Sequence, residues 1–430
     1  MRAPRNKALK SPEQRENEKQ ERVRNRISLR QLFVYLGPAL IVSMAYMDPG
    51  NYGTDIQSGA SFAYDLLWTV WLANIMAMVL QYLSGKLGIA TGKDLPQLIR
   101  ASLKSRKLIV PYWLAAESAA AATDLAEYLG TVIALNLLFG VPLLYAAIFG
   151  AADVIILLTL TSERFRIIEY FFMLFVSVIA IGFLYQVIII GPSLSEIAYH
   201  SVAVSINNQN ILLVVGIVGA TVMPHALFVH STLTKNKLTT GSIEERRRLR
   251  RLHIREVIVT LTIASLVNVA ILVSAAAAFF PKYSGVSTIN DAYQIMVPLY
   301  GYFAAAVFAI TLLASGLASS TTGTLAGMAI MDGLLGTRVN KNLRRIVTRL
   351  VNVFPTTAAI LVGLNPLSLL VYSQVILSLM IPLPMIPLIV YTSRRNVMGE
   401  FVNRKITTIL GALAAATIIS LNIYLLYTTL

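Results

Sequence analysis

Two short stretches of this chain carry residue types and spacings that could hold a metal ion. In the first, Asp48 and Asn51 place a carboxylate and an amide oxygen three residues apart, with Pro49 and Gly50 between them. Proline removes a backbone donor and glycine weakens a helix, so an apolar helix running from Ala39 to Met47 stops here and frees carbonyls near Ala45, before Tyr52 to Phe62 resumes. In the second, Gly216 and Gly219 precede Ala220-Thr221-Val222-Met223-Pro224-His225, which offers a thioether at Met223 and a freed carbonyl near Ala220. One negative charge with several neutral oxygens suits a cation, and sulfur shifts the preference from Ca²⁺ and Mg²⁺ toward Mn²⁺, Fe²⁺ or Cd²⁺. A methionine in an apolar helix is more often packing than ligand, and thirteen are present, so Met223 gains its weight only from standing at a break. Asp48 also reads as the cap of the helix that follows it, a role compatible with binding.

The elements that must position these residues are membrane helices. Hydrophobic residues make up 56% of the chain and charged ones 13%, with a mean hydropathy of +0.68, which excludes a large soluble catalytic domain. Apolar runs predict eleven spans, at about 31–60, 66–90, 108–134, 141–161, 167–190, 209–232, 255–280, 300–328, 345–363, 366–391 and 405–428. The net charge of +15 is segregated: residues 1–30 carry ten Lys/Arg, 93–107 five and 233–255 eight, whereas 191–208 carries none and 281–299 only Lys282. By the positive-inside rule the N-terminus is cytoplasmic and, with an odd number of spans, the C-terminus is outside. The basicity is thus topological, and nucleic acid is not the expected partner. Residues 1–30 read as a flexible cytoplasmic tail, and Glu244–Arg251 as a solvated interfacial helix. The absence of cysteine excludes disulfides and thiolate sites, and four histidines are too few and scattered for a histidine-rich cage.

An ionisable residue near the bilayer centre costs about 2.5–3.5 kcal/mol even on the permissive insertion scale, so Asp48 needs compensation. Spans one and six, which hold the two breaks, are corresponding members of two five-helix halves, 31–190 and 209–391, with 405–428 as an additional helix. Paired breaks at matching places point to a transport site at the midplane. On span three, Glu117, Asp124 and Glu127 fall within roughly 80° of one helical face. Arg349 enters span nine deep enough to pair with one of them. Both a proton relay and a structural ion-pair network fit this stripe. His225 titrates near neutrality unless buried, which suits proton exchange; His230 is the weaker candidate, able simply to hydrogen-bond in a polar cavity. Asp153 and Glu256 read as pairing partners or interface anchors, Asn268 as a bridge between helices and Gln81 as a support for the site.

At these residues the chain resembles the Nramp (natural resistance-associated macrophage protein) family of divalent metal transporters. The resemblance is carried by Met47-Asp48-Pro49-Gly50-Asn51-Tyr52 and by Met223-Pro224-His225 through His230-Ser231. It continues through Gln81, Leu87-Gly88-Ile89-Ala90-Thr91-Gly92, Thr123-Asp124-Leu125-Ala126-Glu127 and Ser373-Gln374-Val375, and so covers nearly the whole chain. It implies an all-α integral membrane protein with a LeuT-like 5+5 inverted repeat plus one extra helix. It also implies proton-coupled uptake of Mn²⁺, Fe²⁺ and related Cd²⁺ and Co²⁺ across the plasma or inner membrane, by a monomer without a resident cofactor. Carried over by position, Asp48, Asn51 and Met223 are side-chain ligands, Ala45 and Ala220 carbonyl ligands, and Gln374 a contributor in an occluded state. Asp48 or His225 would exchange the proton, and Asp124, Glu127 and Arg349 would conduct it inward. The chain departs from the family at Ala226, where asparagine is usual, and in span eight, which reads Ser315-Gly316-Leu317-Ala318-Ser319-Ser320-Thr321 and Gly327-Met328 where glutamines are expected. Met223 argues against the magnesium carriers of the wider superfamily. The alternative within this architecture is a symporter of an organic substrate such as an amino acid. A membrane enzyme is disfavoured, because no nucleophile with an adjacent base appears in the spans.

Overall fold

The computed structural model describes residues 38–150, 165–283, 289–337 and 340–429. Among them the regular elements are helices, which form eight spans long and apolar enough to cross a membrane, with Ile211–Lys235 and Pro366–Ser393 each counted as one. In chain order they are α1 (Pro38–Ala45), α2 (Pro49–Phe62), α3 (Leu67–Thr91), α4 (Leu95–Leu103), α5 (Arg106–Phe139), α6 (Leu143–Gly150), α7 (Phe165–Ile190) and α8 (Leu194–His200). The second half follows with α9 (Ile211–Val222), α10 (Pro224–Lys235), α11 (Ile243–Phe279), α12 (Ile289–Tyr300) and α13 (Tyr302–Leu335). The chain then forms α14 (Lys341–Leu361), α15 (Pro366–Met380), α16 (Pro382–Ser393), α17 (Arg395–Met398) and α18 (Lys405–Thr429).

Spans one and six are split, as α1/α2 and α9/α10, and span ten is divided at Ile381, which keeps helical backbone angles, into α15/α16. The tail expected at 1–30 and most of span four, with Asp153, lie outside the described residues. Two connections differ from expectation. Residues 281–299, read as a bare loop, contain α12, and the basic stretch Glu244–Arg251 is continuous with span seven rather than a separate surface helix. At 1.5 Å per residue α11 extends over about 55 Å, so its first turns project well beyond a hydrocarbon layer of about 30 Å.

That projecting end is held by Glu245, whose carboxylate accepts hydrogen bonds from Thr239 and Thr240, through both N–H and hydroxyl groups, and from the Gly241 N–H. These bonds, the Thr239 hydroxyl first, lower the Glu245 pKa from 4.5 to about 2. A depressed carboxyl pKa stabilises the folded loop fully above the unfolded value, and the contribution is lost as pH falls from about 4.5 toward 2. Glu245→Gln should therefore raise amide exchange at Gly241 at neutral pH; unchanged exchange would show that the carboxylate does not hold this turn.

Inside the bundle the helices approach through small residues, since lipid supplies no hydrophobic drive for helices to associate. Gly316 and Gly323 of α13 lie against α5, the first beside Thr131 and the Glu127 carbonyl, the second beside the Asp124 and Glu127 side chains. Gly59 of α2 lies on the Leu272 carbonyl of α11, and Gly88 of α3 on the Ser231 carbonyl of α10. The outer surface is apolar, with Leu184, Ile188, Phe354 and Leu413 exposed to the surroundings. Glu256, read as an anchor, accepts the Ala39 N–H at 3.1 Å and so caps the start of α1.

Candidate metal-transport site

The first break lies earlier than its sequence suggests. Helix α1 ends at Ala45 and α2 already begins at Pro49, so the gap is Tyr46–Asp48 and Pro49-Gly50-Asn51 form a first helical turn. Proline suits that position because its missing N–H would have no helical partner there anyway. Asp48 caps the turn, its Oδ1 accepting from the Asn51 N–H at 2.8 Å and from Asn51 Nδ2 at 2.7 Å. Capping and site chemistry thus coexist in one carboxylate. The gap's own backbone is satisfied by other helices: the Tyr46 carbonyl accepts from Asn268 Nδ2 at 3.0 Å, and the Met47 carbonyl from the Ser315 hydroxyl. Irregular backbone at membrane depth is tolerable on that condition.

The second break is a single residue. Met223 separates α9 from α10 with φ 43° and ψ 108°, a positive φ that a side-chain-bearing residue adopts only under strain. The two breaks are joined by Asn51. Its Nδ2 donates to the Ala220 carbonyl at 3.1 Å, while its Oδ1 accepts from Thr221 Oγ1 at 3.3 Å and Asn268 Nδ2 at 3.2 Å. Ala45, Asp48, Asn51, Ala220 and Met223 are all fully buried.

Gln374 of α15 reaches both breaks at once. A Cβ on Gly50 would overlap its carboxamide and approach Asp48 Oδ2 to 2.9 Å, and a Cβ on Gly219 would overlap its backbone carbonyl. The structure therefore brings Asp48, Asn51, Ala220 and Gln374 together and sets Ala45 at the edge of the first gap and Met223 in the second.

Three contributors escaped the sequence reading. Asp55 lies seven residues beyond Asp48 on the same face of α2, buried, and neither of its oxygens has a hydrogen-bond partner among the described residues. An acidic residue inside an apolar span was the signal for it. Ser315 and Thr322 of the unusual span eight tie down span one, by bonds to the Met47 carbonyl and, at 3.0 Å, to the Ile41 carbonyl. Neither hydroxyl has any local signature that separates it from the other Ser and Thr of that helix.

The expected proton-route residues fall into two places. His225 Nδ1 lies 3.0 Å from Thr123 Oγ1, and since that hydroxyl donates to the Ala119 carbonyl at 3.1 Å, the imidazole N–H is the donor. His225 is thus docked on α5 next to Asp124, which is buried with Glu127 under Gly323; Glu117 is half-buried nearer the basic end. The Arg349 side chain lies outside the described residues. His230 is elsewhere: its Nδ1 lies 2.7 Å from Gln81 Oε1, and Gln81 Nε2 donates to Tyr46 Oη at 2.7 Å. Among the described residues no three His, Asp or Glu side chains gather as a metal cage. A single carboxylate among neutral donors is suited to passing an ion on rather than retaining it.

Interrupted helices meeting at a buried carboxylate define a polytopic membrane transporter. The family is shown directly: the sequence model described as "Natural resistance-associated macrophage protein-like" matches residues 39–428, and the chain belongs to the Nramp family. It is 43% identical over 400 residues to the divalent metal cation transporter MntH of Deinococcus radiodurans, covering 93% of this chain and 91% of that one. With MntH of Granulibacter bethesdensis it shares 42% identity over 395 residues, covering 91% and 88% of the two chains. The crystal structure of the Eremococcus coleocola manganese transporter, in complex with an aromatic bis-isothiourea compound, superposes with a TM-score of 0.85 at 32% identity, over 93% of this chain and 87% of that one. The inward-facing conformation of Mhp1, a LeuT-fold protein, gives a TM-score of 0.54 at 15% identity over 91% of each chain, a likeness of fold alone.

Proposed function

We propose that this chain imports divalent transition-metal ions, Mn²⁺ and Fe²⁺ with related Cd²⁺ and Co²⁺, in symport with protons and by alternating access. The observation that carries the reading is the buried Asp48 carboxylate, bonded to Asn51 and adjoining Gln374, in the first of two helix gaps, the second being Met223 itself. Asp48 supplies the charge, Asn51, Ala45 and Ala220 supply neutral oxygens, Met223 supplies sulfur, and Gln374 closes over the ion. The names of the MntH relatives and of the manganese transporter support the cargo class.

Proton movement uses Asp48 or His225 as the exchanging group and the α5 face, Asp124 and Glu127 with Glu117 and Arg349, as the inward route. The basic end is cytoplasmic in this reading, residues 31–190 and 209–391 form the two moving halves, and the carrier acts as a monomer. An amino-acid symporter fits less well. Asp48 and Asp55 are buried on one face of α2 without an ion pair among the described residues, and a substrate carboxylate would be repelled.

In proteoliposomes holding an internal pH dye, Mn²⁺ uptake should acidify the lumen and accelerate with a negative-inside potential. Uptake without acidification would reject symport. Met223→Ala should keep Mn²⁺ uptake while admitting Ca²⁺ as a competitor, because a harder ion gains from exchanging sulfur for water. A variant that still excludes Ca²⁺ as the parent does would remove the thioether from the selectivity mechanism.

A further inference from the structure

Between the breaks and the basic end lies a pair of nitrogen donors that the Asp48 site does not use. His230 of α10 and His253 of α11 are both buried, with ring centroids 4.9 Å apart and planes at 77°. Each ring is oriented by an acceptor on α3. Gln81 donates its amide to Tyr46 Oη, which leaves its Oε1 to accept from His230 Nδ1 at 2.7 Å. His253 Nε2 lies 3.3 Å from the Tyr82 carbonyl, which can only accept. The neutral rings therefore carry their bare lone pairs on His230 Nε2 and His253 Nδ1, and neither atom has a hydrogen-bond partner among the described residues. An imidazole whose N–H is held by a carbonyl while its other nitrogen is free is in the arrangement that metal-ligating histidines adopt. Gly85 of α3 makes room for it, since a Cβ there would overlap the His253 ring.

We propose that His230 and His253 form a second, weaker transition-metal station on the path from Asp48 to the cytoplasm, an inference that rests on the import reading above. Imidazole nitrogen favours Mn²⁺, Fe²⁺, Co²⁺ and Cd²⁺ over Ca²⁺ and Mg²⁺, so the pair repeats the discrimination made at Met223. The hydrogen-bonded chain from His230 through Gln81 ends at the hydroxyl of Tyr46, a residue of the first gap, and so links the station to that gap. Lys86 of α3 and Lys237 beyond α10 are positively charged groups near His253, Arg250 of α11 and Arg404 lie near Tyr82, and Tyr82 stacks on His253 at 6.0 Å. Their positive charges oppose a resident cation and so keep its stay short.

The test removes the main site first. Purified Asp48→Ala protein titrated with Co²⁺ should retain one weak site whose visible absorption bands report nitrogen ligation. Adding His230→Gln or His253→Gln should abolish that signal. His253→Gln alone should still bind Co²⁺ at the Asp48 site, which shows that the variant is folded. An Asp48→Ala protein with no Co²⁺ signal, or a signal that survives both histidine changes, overturns the station. Because this titration reads binding without transport, its outcome is separate from that of the flux assay, on which the import reading depends.

Discussion

Asp48→Ala should abolish Mn²⁺ uptake. In the proposed reading the substitution removes the one charged ligand; it also removes the cap of α2, so that the Asn51 N–H loses its acceptor and Asn51 Nδ2 keeps only the Ala220 carbonyl. Loss of a group that merely orients a ligand lowers metal affinity by about 10–100-fold, so loss of the anionic ligand itself should lower uptake by at least about 100-fold, to the level of empty liposomes. The cap accounts for only about 1 kcal/mol of this, a stability effect that thermal unfolding measures separately. Asp48→Asn separates the two roles: it can still cap the helix but carries no charge, and it should remain folded while failing to take up Mn²⁺. Parent-like uptake by either variant would place the ion elsewhere.

Gly219→Ala should have the next largest effect, although residue 219 offers no ligand. A Cβ there overlaps the Gln374 carbonyl and comes within 2.9 Å of the Ser378 N. Both are backbone atoms, so no side-chain rotation relieves the clash and α15 must move away from α9. Overpacking of this kind costs about 1–3 kcal/mol, read as a lower unfolding temperature. The displacement also withdraws Gln374 from the two breaks, and Mn²⁺ uptake should fall even where expression and folding are adequate. Ser378 exchanges hydrogen bonds with Asn422 of α18 at 2.8 and 2.9 Å, which limits how far α15 can yield. Uptake equal to the parent's would mean that the close approach of α9 and α15 is incidental to transport.

The existence of both breaks was legible because proline and glycine interrupt otherwise apolar runs, with Asp48 and Met223 in the gaps and Asn51 in the turn that follows the first. Their limits were not. Asp48 and Pro49 read equally as the end of one helix or the start of the next, and only the hydrogen bond from the Asn51 N–H decides for the start. What remained hidden depends on contacts far apart in the chain. Gln374 is legible in the sequence only through the family resemblance, and the reason for its position, the bare surfaces of Gly50 and Gly219, appears only when three helices meet. Ser315 and His253 are of the same kind: one hydroxyl among many in span eight, and one histidine beside a basic run, each given meaning by a partner on another helix.

The bonds around Asn51 bear on which ions the proposed site would admit. The Asn51 oxygen accepts from Thr221 and Asn268, and its amide donates to Asp48 and the Ala220 carbonyl, so the groups proposed to hold the ion are bonded to one another. An arriving ion has to compete with the protein for its own donors. In the proposed import cycle a weakly attracting alkali ion has too little to offer in that contest, whereas a divalent ion would open the knot and thereby set α2 and α9 free to shift. Rejection of sodium and the trigger for movement would then be one event.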